Sequence, residues 1–213
     1  MEKNGKLFIS TIFATEFVPS VWDPYVYRKN GDVHSLSHYA TVQRVGFKHV
    51  SSLAPFEPIE YKHIPHGNYL SFTLEPRTSI ISNLPVVSEN TLLFGTMRAY
   101  LGNILITPMA EWIGQKSPLF FHVKSEFVNI SPHDELPYFW MIYLRSKQFL
   151  ENLPVGSGGT RPRLQAKSLS NTPVEVPDIK IRKEIHDRLK DLAQKEWLTY
   201  FETTALINLS STY

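Results

Sequence analysis

A glycine-rich turn and the segment behind it place the strictest limits on how this chain can fold. The run GSGGT, residues 156–160, contains three glycines, which allow sharp bends and a close approach of the backbone to another group. Arg161 and Arg163 follow it and flank a proline. The spacing then predicts a short helix over 164–169. The bounding prolines and alternating residues of 172–177 predict a short edge strand.

A long amphipathic helix is predicted after this strand. Asp178 is a good N-cap, and the apolar residues that follow recur at steps of three to five positions while charged residues fill the other face. The helix should run from about residue 180 to about residue 200, which is long enough to project beyond the preceding domain. Its apolar row must be buried, either on that domain or against a second helix, and consists of Ile181, Ile185, Leu189 and Leu192.

Between residues 91 and 130 the sequence predicts four strands bounded by glycine or proline. Apolar residues occupy both alternating registers, so these strands should be buried on both faces. The predicted strands are 92–94, 103–106, 119–123 and 127–130. The segment 132–153 is predicted as one core helix, with Asp134 as its cap and Pro137 in its first turn.

Length and charge limit the architecture and the partners. A chain of 213 residues with 42% hydrophobic content is long enough for one sizeable core, or for one domain and an appendage. Its 22 basic and 20 acidic residues leave a formal charge of +2, so any nucleic-acid surface must be a local patch. The lack of cysteine rules out disulfides and thiolate sites and fits a cytoplasmic protein. The sequence has neither a run of ~20 apolar residues nor a signal-peptide cleavage pattern.

Motifs for catalysis or for metal binding are weak. His63 and His66 form a His-x-x-His pair without a third ligand, so a solvated loop is the favoured interpretation. The triplet 23–25, Asp-Pro-Tyr, lacks the second proline of the adenine methylase loop, and no glycine-rich cofactor loop accompanies it. The run GSGGT lacks the lysine of a phosphate-binding P-loop. Protease, esterase and nuclease motifs are absent too, so we predict no catalytic residue, no metal site and no cofactor.

The order of these features resembles the specificity (S) subunit of type I restriction-modification systems. In that family a target recognition domain ends in a Gly/Ser-rich turn, a short helix, a strand that ends in proline, and a long helix. The matching stretches here are GSGGTRPRL, LSNTPVEVP and IRKEIHDRLKDL. The segment TLLFGTMRAYLGNILIT, residues 91–107, is similar to the family's two apolar strands joined by a polar or basic loop. These matches lie in roughly the second half of the chain.

The resemblance implies an α+β fold in two parts. A mixed-sheet target recognition domain would cover residues 1–177, and a helical segment over 178–213 would serve coiled-coil pairing. Because S subunits in this family usually carry two recognition domains, the helix is expected to pair with that of a second copy. The residues assigned to this homodimer contact are Ile181, Ile185, Leu189 and Leu192.

The resemblance also implies sequence-specific binding of double-stranded DNA without catalysis. The chain would direct a separate DNA methyltransferase subunit and a restriction subunit to the target. Loop side chains would contact bases, and basic residues would contact phosphates. The residues expected to face DNA are Arg98, Lys116, Arg161, Arg163 and Lys167.

Two other functions stay open from the sequence. One is a self-sufficient DNA-modifying or other enzyme whose catalytic residues are scattered along the chain. The other is a module that binds carbohydrate or protein, which a surface with aromatic residues but no basic patch would favour.

Overall fold

The computed structural model describes residues 34–47, 53–65, 67, 70–78, 83–154, 156 and 162–210, with side chains up to residue 206. Several predicted features lie outside these residues. They are the Asp-Pro-Tyr triplet 23–25, His66, Arg161 and the glycines at 158 and 159.

Short strands and helices alternate along the described chain. The strands are β1 (His34–Ser35), β2 (Ala40–Arg44), β3 (Val86–Ser88), β4 (Leu92–Gly95), β5 (Ile104–Ile106), β6 (Phe120–His122), β7 (Phe127–Pro132) and β8 (Pro173–Val174). The α-helices are α1 (Leu36–Tyr39), α2 (Pro137–Arg145), α3 (Lys147–Glu151), α4 (Ala166–Ser170) and α5 (Ile179–Ser210). Single turns of 3₁₀ helix occur at Tyr61–His63, Ala99–Leu101 and Ala110–Ile113.

The central element is a four-stranded antiparallel sheet in the order β2-β7-β4-β5. Strand β7 lies between β2 and β4, with Ile130 opposite both Val42 and Leu92. Two smaller antiparallel pairs, β1-β8 and β3-β6, flank it, and parallel pairing occurs as isolated bridges such as Ile59 with Val123. The α+β class predicted from the sequence is confirmed.

The apolar runs between 91 and 130 form strands as predicted. All residues of β4 and β5 are buried, which confirms burial on both faces for these two strands. Helix α2 packs on β5 and β7 and supplies part of that cover. Strand β2 stands at the edge of the sheet and ends with two exposed residues, Gln43 and Arg44.

The prediction of one helix over 132–153 is wrong, because the segment forms α2 and α3 with a break at Ser146. Ser146 is extended, with φ −65° and ψ 145°, and its hydroxyl accepts a hydrogen bond from the Phe149 N–H at 3.2 Å. A serine can replace the helical backbone bond by capping a new helix, which explains the break. Asp134 does not occupy the N-cap of α2, which is Leu136; its carboxylate accepts instead from the indole N–H of Trp140 at 3.0 Å.

The elements behind the glycine run follow the predicted order. The short helix is α4, and the predicted strand 172–177 is reduced to β8, which pairs with β1. Helix α5 begins at Ile179, directly after Asp178, whose carboxylate accepts from the Lys180 N–H at 2.8 Å. The predicted N-cap is confirmed, while the helix extends to Ser210, beyond the predicted end.

Polar contacts hold α5 against the rest of the chain at two levels. Near its start, Arg182 pairs with Asp134, and each side chain is 12% exposed. Further along, the carboxylate of Glu196 accepts from the backbone N–H groups of Leu70 and Ser71 at 2.8 and 2.9 Å. The helix therefore bridges the start of α2 and the segment around residue 70.

The apolar row of α5 is buried inside the same chain. Ile185, Leu189, Ala193 and Trp197 are at most 2% exposed, and the Trp197 ring meets Phe72 edge-on at 5.0 Å. The prediction that Ile185 and Leu189 contact a second helix is therefore wrong, because the core already surrounds them. Ile181 and Leu192 are partly buried against that core. Residues on both sides of 177 thus share one core. No helix in the described part of the chain has the length and apolar content to cross a membrane.

Replacing Leu189 by alanine is expected to lower the free energy of unfolding by about 2–5 kcal/mol, because a fully buried leucine leaves a cavity. The matched control is Leu198→Ala on the same helix, where the side chain is 39% exposed. The control should change the free energy by less than about 1 kcal/mol. Urea denaturation measures both, and equal losses would contradict this packing of α5.

Candidate nucleic-acid interface

Three strands of the central sheet have an end on the same side of the molecule. Strand β2 ends at Arg44, β4 ends at Gly95, and β7 begins at Phe127. Because β7 is antiparallel to both neighbours, with Arg44 opposite Val128 and Gly95 opposite Phe127, these ends lie side by side. The loops that continue from them therefore share one surface.

The segment behind the glycine run joins this surface by pairing with the continuation of β4. Met97 and Arg163 form an antiparallel bridge. The Arg98 N–H donates to the Pro162 carbonyl at 3.1 Å, and the Leu164 N–H donates to the Thr96 carbonyl at 2.9 Å. Two arginines predicted from separate sequence motifs, Arg98 and Arg163, are thus brought to neighbouring positions.

Arg98 has a left-handed backbone, with φ 49° and ψ 48°, and an exposed side chain. This conformation costs a residue with a Cβ roughly 1–2 kcal/mol and persists only where neighbours enforce it. The preceding residue supplies that enforcement. The Met97 N–H donates to the Tyr61 hydroxyl at 2.8 Å, and the Met97 carbonyl accepts from the Asn103 amide at 3.4 Å. Strain at an exposed arginine of a loop points to function rather than to packing.

Tyr61 supports this loop from beneath. Its ring stacks on Phe127 at 5.2 Å, and burial raises the pKa of its phenol to about 12, so the hydroxyl stays neutral. The hydroxyl lies directly against Gly95, where an added Cβ would come within 2.7 Å of it. Gly95 therefore lets Tyr61 reach Met97.

Two further groups lie against Arg163. Its Nη2 lies 3.8 Å from a carboxylate oxygen of Glu126, and the Glu126 carbonyl accepts from both the backbone N–H and the hydroxyl of Thr96 at 2.9 and 2.8 Å. Gly156 packs on the other side, where an added Cβ would stand 3.1 Å from the Arg163 carbonyl carbon. A close backbone approach within the chain therefore occurs at Gly156, while the approach of the glycine run to a binding partner stays a prediction.

Two cavities lie near these loops, and Arg163 lines the smaller one. One, of about 390 Å³, is lined by residues of the three loops, including Arg44, Phe47, Ser125, Arg163 and Gln165. Phe47 is 70% exposed there. The other, of about 550 Å³, is lined by residues that include Tyr61, Tyr100, Asn103 and Arg145. Burial lowers the pKa of Arg145 to about 10, and its guanidinium donates to the Ile104 carbonyl.

The remaining predicted basic residues are placed differently. Lys167 is exposed on α4, which follows Arg163 directly and packs against β2. Lys116 is exposed in the loop before β6, a strand of a separate sheet, and is not among the residues around Arg98 and Arg163.

The sequence did not indicate that four further residues belong to this surface, namely Arg44, Phe47, Ser125 and Gln165. Each looks like an ordinary loop or strand-end residue in the sequence, and only the sheet register brings it to the arginines. The described surface around Arg163 then contains three arginines, which are Arg44, Arg98 and Arg163 itself. The carboxylate among them is that of Glu126, which is paired with Arg163. This is the local basic patch that a near-neutral chain requires to bind nucleic acid.

His63 is buried, at 5% exposure, so the predicted solvated loop is wrong at this position. Its Nδ1 accepts from the Glu60 N–H at 3.0 Å, and burial lowers the pKa of the imidazole. The histidine caps a 3₁₀ turn. Among the described residues no group of three or more His, Asp or Glu side chains is arranged to hold a metal ion.

Comparison with known proteins identifies the family. Residues 79–204 match the family described as type I restriction modification DNA specificity domain, which is more than half of the chain. The chain belongs to this family. The match begins before β3 and ends within α5, so it includes Arg98, Arg163 and the buried part of the long helix, whereas β2 and the turn of Tyr61 precede it. No curated protein matches the chain significantly.

Three solved structures from type I restriction-modification systems align with this chain at low identity. The HsdS subunit from Thermoanaerobacter tengcongensis aligns with TM-score 0.46 and 15% identity over 81% of this chain and 39% of its own. The S subunit from M. genitalium aligns with TM-score 0.49 and 12% identity over 95% of this chain and 50% of its own. A structure from a study of type I R-M system assembly aligns with TM-score 0.48 and 15% identity, covering 84% and 42%. The specificity domain described here therefore spans half or less of each.

Replacing Gly156 by alanine is expected to destabilise the protein by about 1–3 kcal/mol, because the new methyl group would press on the Arg163 backbone. Gly46→Ala is the matched control, since a Cβ at Gly46 meets no atom within 4 Å. It should be neutral or stabilise by up to about 1 kcal/mol. Thermal unfolding followed by circular dichroism would contradict the close approach if both variants behaved alike.

Proposed function

We propose that this chain binds double-stranded DNA in a sequence-specific manner, as the specificity subunit or half-subunit of a type I restriction-modification system. The observation that carries the proposal is the strained, exposed Arg98 paired by its backbone to the segment that presents Arg163. Membership of the specificity-domain family supports it. The partner is DNA rather than carbohydrate because arginines dominate the shared loop surface.

The surface divides into positioning and base-reading parts. Arg98, Arg161 and Lys167 contact phosphates, since cationic side chains suit the charged DNA backbone. Side chains of the cavity beside Arg163 face the base edges of the major groove. Lys116 is a further candidate for a phosphate contact at a more distant position.

Catalysis is assigned to other subunits. The chain itself carries no catalytic residue and needs no cofactor. It directs a DNA methyltransferase subunit and a restriction subunit to the target, in the cytoplasm where cellular DNA is accessible to them. Helix α5 is the element through which the specificity domain is coupled to the rest of such a complex.

Removal of one phosphate contact is expected to weaken binding to every duplex alike. Each lost contact should reduce the slope of log affinity against log salt by roughly 0.9. The sharpest variant is Arg98→Gly, because glycine adopts the left-handed backbone without strain and so leaves the loop intact. Fluorescence anisotropy over a salt series with a duplex of random sequence measures the slope.

Lys183→Ala serves as the control, since Lys183 is exposed on α5. It should leave both affinity and slope unchanged. Arg161→Ala and Lys167→Ala should behave like Arg98→Gly. An unchanged slope in a folded Arg98→Gly variant would assign Arg98 to structure and remove the main support for the proposal.

Two copies are proposed to associate through the exposed side of α5. Because Ile185 and Leu189 are buried in the core of their own chain, we place the contact between the two copies in the distal part of the helix. Leu198 is 39% exposed there and Leu206 is 67% exposed. Burying both against a second helix would remove apolar surface from water, which favours association at ~25 cal/mol per Å².

The double variant Leu198→Glu, Leu206→Glu is expected to sediment as a folded monomer, while the wild type sediments as a dimer at tens of micromolar. The control is Gln194→Glu, which adds a like charge at an exposed position of the same helix and should remain dimeric. A monomeric wild type would contradict the homodimer, and would leave the DNA-binding proposal in place.

A further inference from the structure

The two neighbouring arginines of the interface are held in different ways. Arg98 has its backbone fixed, and no carboxylate of the described residues pairs with its side chain. Arg163 has its backbone fixed by Met97 and Gly156, and its guanidinium also faces the carboxylate of Glu126 at 3.8 Å. The side chain of Arg163 is nevertheless 55% exposed, so it remains available to a ligand.

The backbone of Glu126, which carries this carboxylate, is itself held by hydrogen bonds. Its side chain is 25% exposed, and its backbone carbonyl is bound twice by Thr96. Thr96 precedes Met97, the residue that pairs with Arg163. The backbone bonds that fix the position of Glu126 are thus continuous with those that fix Arg163.

This arrangement disfavours a phosphate as the partner of Arg163. A phosphate oxygen on the exposed side of the guanidinium would bring a full negative charge towards the Glu126 carboxylate, and the two anions repel each other. The edge of a guanine offers two acceptors, O6 and N7, without a net charge. The planar guanidinium fork matches these two acceptors, and the carboxylate of Glu126 at 3.8 Å favours orientations of the fork that face it, which reduces the entropy lost on binding.

The surroundings of Arg163 also fit base recognition. It lines the cavity of about 390 Å³ together with Ser125 and Gln165, whose exposed polar side chains are of the kind that hydrogen-bond to base edges. Arg44 lies on the same cavity and Arg98 outside it. The cavity therefore groups side chains suited to bases, next to a loop suited to phosphates.

We propose that Arg163 recognises a guanine of the target sequence in the major groove, and that Glu126 is the positioning residue that orients its guanidinium. This inference rests on the proposed function, because it assigns a base-specific role to one residue of that DNA interface. Recognition of a base differs from the phosphate contact that the position of Arg163 after the glycine run suggested.

The test is selection of targets from a library of random duplexes, using the full chain together with its methyltransferase subunit. Arg163→Lys keeps the charge and removes the bidentate fork. It should lose preference for guanine at one position of the target by about 5- to 150-fold, with the salt slope on non-specific DNA unchanged. A phosphate-binding Arg163 would instead tolerate lysine.

Glu126→Gln keeps the size of the side chain and removes its charge. It should weaken the preference at the same guanine and at no other position, and it should add nothing in the double variant with Arg163→Lys, as expected of two residues that act together. Arg98→Gly is the contrasting control. It should weaken binding to all selected sequences and leave the guanine preference intact.

The outcomes separate the two proposals. A wild-type complex that selects a target, with a lysine variant that keeps the same guanine preference, overturns the role of Arg163 and leaves the proposed function standing. A glutamine variant with wild-type preference overturns the positioning role of Glu126. A wild-type complex that selects no sequence overturns the proposed function, and the role of Arg163 with it.

Discussion

The burial of one face of α5 against the preceding domain is the interaction on which the structure depends. Its row of Ile185, Leu189, Ala193 and Trp197 completes the core, so the helix cannot leave without exposing that core to water. The Asp134–Arg182 pair, largely shielded from solvent, fixes where the helix starts, since an unpaired buried charge is strongly unfavourable. The position of α2, and through it the covered face of the central sheet, follows from this packing.

Because the sheet is stable, the loops at one end of its strands can adopt an unfavourable backbone conformation. The loops at that end contain an arginine with a left-handed backbone, a tyrosine hydroxyl that lies against a glycine, and a close backbone contact at Gly156. The left-handed backbone of Arg98 is unfavourable and persists because the surrounding contacts over-determine it. Left-handed backbone also occurs at Asn83, Asn90 and Glu135, and what distinguishes Arg98 is its position beside a second arginine, Arg163.

The sequence was sufficient to predict features that depend only on residues close together in the chain. The apolar runs of β4 and β5, the N-cap at Asp178 and the glycine at 156 all act through neighbouring residues, and their periodicity or chemistry was visible. Long-range pairing was not visible, so Arg44 and Gln165 were missed and Lys116 was grouped with residues of another sheet. The apolar row of α5 was identified correctly but its partner was not, because periodicity shows which face is buried and not what covers it. Ser146 broke a helix that its hydrophobic neighbours favoured, since a capping hydroxyl outweighed their propensity.

The length of α5 has a mechanical consequence. A helix of 32 residues measures about 48 Å, and its first part, up to Trp197, is packed on the preceding domain, while Leu206 further along is exposed. A rod clamped in this way acts as a lever. When the domain tilts, the free end of the rod is displaced further than the part packed on the domain, in proportion to its distance from it. A small change at the arginines would then reach whatever is attached to that end as a larger movement.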